Sequence, residues 1–389
     1  MEETKELFRA LELAHYAERF RESTFVIALP AGVSFAELVM DLKVLAGYHI
    51  RMVLVTADPH FELEQIVSQA NKRGARFQLL LLTDLLFRPE EDALHLDFQR
   101  VQTLLAQEQM PIIAYHGADG APQSQVQVAQ GADAAGVDFT YVLAGQVAVR
   151  LGASKLFLVT PLAAQLRSLL PRTSVQSSEL EGLPSRLDEA GLPGAEPLCS
   201  FIAAQLTRGI PDVVLLEGRS AHLFREVFTY DGAGILFTAT RAARIRRADM
   251  RDVTDMTLLL RPEVESGAIL AVPESRIEAN IDNYWVYEID GMLVGLAGLK
   301  RYNDHAELAQ FATLPRYRGR GRARELAQFL IEQARAQGYR YVFALSIDPR
   351  MWEFFQYLGF QPIERESLPE VWRQGYDLSR PSRALLMEL

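Results

Sequence analysis

The segment Arg316-Tyr317-Arg318-Gly319-Arg320-Gly321-Arg322-Ala323 decides how the second half of this chain is read. It follows an apolar run from Leu308 to Leu314, closed by Pro315. It precedes a stretch in which Leu326, Phe329, Leu330 and Ala334 recur at helical spacing. The unit is strand, glycine turn, helix. Gly319 and Gly321 remove side chains where the backbone must tighten, so successive N–H groups can face one anion with the positive end of a helix behind them. The pattern predicts a pyrophosphate cradle, although a solvated Gly-Arg turn that merely starts a helix has the same short signature.

Working outward, Arg316, Arg318, Arg320, Arg322 and Arg324 place five cations within nine residues, a local field suited to a polyanion. The rest of the chain does not share that sign. From residue 244 onward there are 20 Lys and Arg against 21 Asp and Glu, so most of the net charge of −10 falls on residues 1–243. An acidic chain of this kind lacks the broad basic face that binds nucleic acid. At 389 residues it is long enough for two domains, and its hydrophobic content of 49% is that of a globular protein. No run approaches the roughly 18 apolar residues of a membrane span, and the charged start Met1-Glu-Glu-Thr-Lys-Glu does not read as a signal peptide. The expectation is a cytoplasmic protein. Cys199 is the only cysteine, which excludes an intrachain disulfide and a cysteine-based metal site. No metal is expected.

The first half alternates strand and helix. Residues 1–20 read as an amphipathic helix. Apolar runs at 24–30, 50–56, 77–82, 110–115, 155–160 and 211–217 read as strands, and 35–45, 62–73, 97–107 and 136–151 as helices. Continuous apolar strands between amphipathic helices predict a largely parallel sheet covered on both faces. Residues 181–197, rich in Gly and Pro, read as a loop or hairpin. In the second half, 245–253 reads as a strand, turn and helix start. Residues 285–300 alternate around Asp290-Gly291 and predict an antiparallel hairpin.

Two resemblances follow. Arg318, Gly321 and Ala323 fit the Arg/Gln-x-x-Gly-x-Gly/Ala signature of the GNAT superfamily of N-acetyltransferases, and Trp352–Phe360 resembles its aromatic helix with a Gly-Phe turn. Leu260-Arg-Pro262, Glu307-Leu-Ala, Leu345-Ser346, Leu368-Pro-Glu370 and Arg380-Pro-Ser-Arg383 narrow the likeness to the N-acetylglutamate synthase family. Leu151–Thr160 and Gly218–Phe237, with Phe228-Thr-Tyr-Asp-Gly-Ala-Gly234, resemble the amino-acid-kinase fold. The resemblance implies an N-terminal amino-acid-kinase-like α/β/α sandwich (1–238), a linker (239–244) and a C-terminal α+β GNAT-type N-acetyltransferase domain (245–389). The kinase-like part departs from its family. Ala28-Leu-Pro-Ala-Gly32 stands where active kinases have Lys-x-Gly-Gly, and Thr56-Ala-Asp-Pro-His60 replaces a second glycine turn. Phosphoryl transfer depends on positioned cations and amides, so this domain is expected to be catalytically degenerate, serving regulation or association into a homo-oligomer.

The synthase resemblance implies acetyl-CoA as co-substrate, L-glutamate as acceptor and arginine as a candidate allosteric effector, with neither nucleic acid nor membrane as partner. It assigns Phe311, Ala312, Thr313, Arg318, Gly319, Arg320, Gly321, Arg322 and Ala323 to the coenzyme. Acetyl transfer to an amine requires removal of a proton from the ammonium form. Glu307, on the strand entering the cradle, is placed to take it. Ser346 matches the family serine that protonates the leaving thiolate, and Tyr357 is the alternative donor. Two substrate carboxylates call for aimed cations; Leu270, Lys300, Arg373, Arg380 and Ser382 match the family's substrate contacts. An acetyltransferase for another amine, or a metabolite-sensing protein with a weak transferase domain, remains compatible with these residues.

Overall fold

A computed structural model of the chain describes residues 10, 13–56, 60–87, 95–115, 136–170, 173–189, 191–192, 195–229, 232–239, 243–289, 292–314, 317–319 and 321–389. Residues 13–240 form one compact unit and residues 241–389 the body of a second.

The main sheet of the first unit has eight strands: β1 (Thr24–Leu29), β2 (Arg51–Thr56), β3 (Phe77–Leu81), β4 (Met110–Ala114), β5 (Lys155–Val159), β6 (Ser174–Gln176), β7 (Asp212–Leu216) and β8 (Ile235–Thr238). Their spatial order is β3-β4-β2-β1-β5-β7-β8-β6. Every neighbouring pair is parallel except β7 with β8. Alternate side chains point to opposite faces. Val26, Ala28, Val53 and Val55 enter one core with the helices Phe139–Leu151 and Glu196–Thr207. Phe25, Ile27, Leu29 and Leu54 enter the other with Phe35–Gly47 and His222–Phe228. The apolar runs are continuous because both faces are covered.

One sequence expectation is corrected here. Residues 181–197 are not simply a loop: Leu183–Glu189 is helical, and a second helix starts at Glu196. Pro184 is tolerated because it occupies the first helical turn, where its missing N–H has no intrahelical acceptor. The expected helix over 1–20 is described only in part, with residues 13–20 helical.

A Cβ placed on Gly218, just after β7, would lie 2.3 Å from Val33 Cγ1 and 2.9 Å from Val159 Cγ1, so apolar side chains from the loop after β1 and from the end of β5 close the space beside it. Residues 57–59 of the second departed turn lie outside the described residues. At the later glycine turn, Glu226 Oε2 accepts hydrogen bonds from the N–H groups of Ala233 and Gly234 at 2.8 Å each. The protein's own buried carboxylate takes the amides that an external anion would need. Asp231 lies outside the described residues.

The second unit has seven strands: β9 (Ala243–Arg247), β10 (Tyr284–Ile289), β11 (Met292–Tyr302), β12 (His305–Thr313), β13 (Tyr341–Ser346), β14 (Gln361–Ile363) and β15 (Arg383–Glu388), in the order β9-β10-β11-β12-β13-β15-β14. Only β12 and β13 run parallel. The helices Val253–Glu265 and Arg322–Ala336 pack on β11 and β12. The expected hairpin is β10 and β11; its turn, Asp290-Gly291, lies outside the described residues.

Candidate active site

The site forms where two parallel strands part. The β12–β13 ladder ends at Leu308 and Ala344. Beyond that point β12 stays paired to β11 as far as Thr313, and β13 to β15 as far as Ser346. A β-bulge marks the divergence: Gly298 faces Ala309 and Leu296 faces Ala312, so Gln310 and Phe311 together oppose Ala297. Gln310 adopts φ 54°, unusual for a residue other than glycine. Such a bulge bends its strand and increases the local twist. The Gln310 side chain is held by the Tyr284 hydroxyl, which donates to Oε1 at 2.7 Å.

A cavity of 540 Å³ fills the opening, lined by Phe311, Ala312 and Thr313 on one strand, Leu345 and Ser346 on the other, and the turn Tyr317–Gly319 and Gly321–Arg324 at its mouth. Gly319 and Gly321 both have left-handed backbones, at φ 72° and 76°, and a Cβ built on Gly321 meets no atom within 4 Å. The space above the turn is open, and the helix Arg322–Ala336 starts behind it. This fits an extended acyl carrier that runs along a free strand edge and ends in a pyrophosphate. Arg320 and Arg316 lie outside the described residues.

The arginines of the turn have different duties. Arg322 is buried, donates to the Tyr317 carbonyl at 2.9 Å and lies 5.1 Å from the Tyr317 ring centre, so it braces the turn from within. Arg318 donates to Glu263 at 2.7 Å and to the Thr313 carbonyl at 3.1 Å. Part of the expected positive field is therefore compensated internally.

A second cavity, of 640 Å³, shares Ala268, Ile269, Gln310 and Leu345 with the first. Glu307, Lys300, Arg380 and Leu270 line it. Glu307 is 7% exposed. Its Oε2 lies 3.8 Å from Lys300 Nζ, directly across the β11–β12 pair. Tyr302 donates toward Glu307; burial first, then that carboxylate, pushes the Tyr302 phenol well above its usual range, so it keeps its proton. Arg380 donates to the Gly267 carbonyl at 3.0 Å.

Other expected residues are placed differently. Ser382 is buried and accepts the Tyr376 hydroxyl at 2.8 Å, behind the cavity wall. Arg373 is not part of that wall, although Trp372, Gly375 and Tyr376 are; its buried Nε has no hydrogen-bond partner. Ser346 lines the first cavity, and its Oγ accepts the Asp348 N–H at 3.0 Å, leaving the hydroxyl proton available. Tyr357 is not brought to either cavity. Helical phase explains this: the helix Pro349–Tyr357 turns Met351, Phe354 and Phe355 into the opening, and Tyr357, two residues beyond Phe355, emerges on another side, 69% exposed. Sequence reading missed Arg276, Asn280, Tyr284, Tyr302 and Gln310, all in the second cavity. None carries a spacing signal, because they meet only through the bulge and the short helix Glu274–Glu278.

Residues 254–360 match the model of the acetyltransferase (GNAT) family. The matched range contains the bulge, the glycine turn, Glu307 and Ser346. Amino-acid acetyltransferases are similar in sequence: that of Edwardsiella ictaluri is 32% identical over 43% of this chain and 38% of its own length. That of Vibrio cholerae is 27% identical over 64% and 57%. The chain thus spans between about a third and somewhat over half of these relatives. In structure, N-acetylglutamate synthase from Neisseria gonorrhoeae, complexed with coenzyme A and L-arginine, aligns over 97% of this chain and 98% of its own, with a TM-score of 0.58 and 23% identity. Over that length the chain has that protein's fold, a mixed α/β architecture whose main sheets have eight and seven strands.

Proposed function

We propose that this protein transfers the acetyl group of acetyl-CoA directly to the α-amine of L-glutamate, the first step of arginine biosynthesis. The observation that carries the reading is the pair of cavities that share Gln310 and Leu345: one offers a strand edge and a glycine turn, the other a buried carboxylate among cations. The coenzyme's pyrophosphate takes the Gly319–Gly321 turn and its pantetheine arm runs along residues 311–313. Glutamate occupies the second cavity, where Lys300, Arg380 and Arg276 face its carboxylates. Glu307 accepts the ammonium proton, held in place by the Tyr302 hydroxyl. The amine then attacks the thioester carbonyl and the new C–N bond replaces the C–S bond; Ser346 gives its proton to the departing sulfur and regains one from the proton the nitrogen sheds as the amide forms.

The reading assigns residues 1–238 to a kinase-like domain without kinase activity and 245–389 to the transferase. Val33 packed on Gly218 supports the loss of the first phosphate turn. Arginine as effector, association through the kinase-like domain and a cytoplasmic location belong to the same proposal. Among the described residues no helix is long and apolar enough to cross a membrane. The test is release of free coenzyme thiol from acetyl-CoA with a panel of amino acids and amines. Glutamate is expected to be the fastest acceptor; faster turnover with lysine or an aminoglycoside would overturn the assignment of acceptor.

A further inference from the structure

Resting on the coenzyme reading above, we propose that Arg324 and Tyr357 form the subsite for the 3′-phosphate of the coenzyme, a dianion beyond the pyrophosphate. Arg324 lines the coenzyme cavity and also a second hollow of 460 Å³, which it shares with Gln328, Arg335 and Tyr357 along the outer side of the helix Arg322–Ala336. It is the residue that joins the two spaces. Its Nη1 donates to the Tyr357 hydroxyl at 2.9 Å, and its guanidinium carbon stands 4.7 Å from the ring centre. The phenol holds the cation in place without neutralising it.

The other described arginines of the coenzyme cavity are already committed. Arg318 is paired with Glu263 at 2.7 Å, Arg350 with Asp348 at 2.8 Å, and Arg322 is buried against the Tyr317 carbonyl. The nearest acid in the outer hollow, Glu332, is engaged by Arg335 at 2.5 Å. Arg324 is thus a cation whose structural partner is a neutral hydroxyl, one helical turn past the glycine cradle. A guanidinium so placed keeps several N–H donors for a phosphate fork. The subsite gives Tyr357 a role at the coenzyme in place of the proton transfer its sequence position suggested.

Titration calorimetry on the full chain, with coenzyme A and with 3′-dephospho-coenzyme A, tests this. Wild type is expected to bind coenzyme A about tenfold more tightly than the dephospho form, the usual scale of one charge-assisted contact. Arg324→Gln should bring that ratio close to one by weakening coenzyme A alone, and Arg324→Lys should restore part of it. Tyr357→Ala should narrow it, whereas Arg318→Gln should weaken both ligands alike and leave the ratio intact. Equal binding of both ligands by wild type, or a ratio unchanged in Arg324→Gln, would overturn the subsite while leaving the coenzyme reading standing. Failure of wild type to bind either ligand would bring both down.

Discussion

Glu307 and Arg380 line one cavity yet are expected to fail in different ways when replaced. Glu307→Gln keeps the size of the side chain and the Tyr302 contact but cannot take a proton. Its turnover number should fall roughly 100-fold or more, the common scale for a lost general base, while coenzyme affinity measured by calorimetry stays the same. Arg380→Ala removes a charge-assisted contact from a half-buried site, on the order of 2 kcal/mol. The Michaelis constant for glutamate should therefore rise about thirtyfold with little change in turnover. A collapse of turnover in Arg380→Ala, or glutamate affinity left intact, would remove Arg380 from the acceptor site. At this scale the sequence was partly legible. Glu307 sits on a strand that leads into a recognisable turn, so its neighbourhood followed from order along the chain. Tyr357 could not be placed that way, since its direction depends on where the helix starts, at Pro349, and a shift of two residues turns a side chain through more than half a circle.

At the scale of elements, the glycine turn and the bulge cooperate: one presents amides, the other bends β12 so that its edge is free. Gly321→Val should damage the first without touching the second. A β-branched side chain at φ 76° is strained and would enter the open space above the turn. The Michaelis constant for acetyl-CoA is expected to rise tenfold or more, about 1.4 kcal/mol, in steady-state assays at saturating acceptor; unchanged coenzyme kinetics would remove the turn from the site. The strands of the first unit were legible because burial on both faces leaves uninterrupted apolar runs such as Phe25–Leu29. The bulge was not, because Gln310 breaks no pattern of hydrophobicity. Its left-handed backbone is imposed by pairing to β11 and by Tyr284, which is 26 residues away. The helix Leu183–Glu189 was hidden by the glycines that flank it and by Pro184, which its first turn tolerates.

At the scale of the whole molecule, the first unit has Val33 packed beside Gly218 and Glu226 bonded to the amides of Ala233 and Gly234. With ATP and N-acetylglutamate the protein is expected to release no ADP above the rate without acceptor, in a coupled assay; acceptor-dependent ADP formation would restore kinase activity to the first unit. The two cavities of the second unit share walls at Gln310 and Leu345, and under the proposed function this sets the kinetic order of events. In the proposed direct transfer the amine attacks the thioester itself, so both substrates have to be present together and reciprocal rate plots should intersect rather than run parallel. A conjugate bridging the sulfur of the coenzyme and the nitrogen of glutamate would thread both chambers at once. Because its second half binds at the high effective concentration set by the first, it should hold the protein far more tightly than either substrate alone.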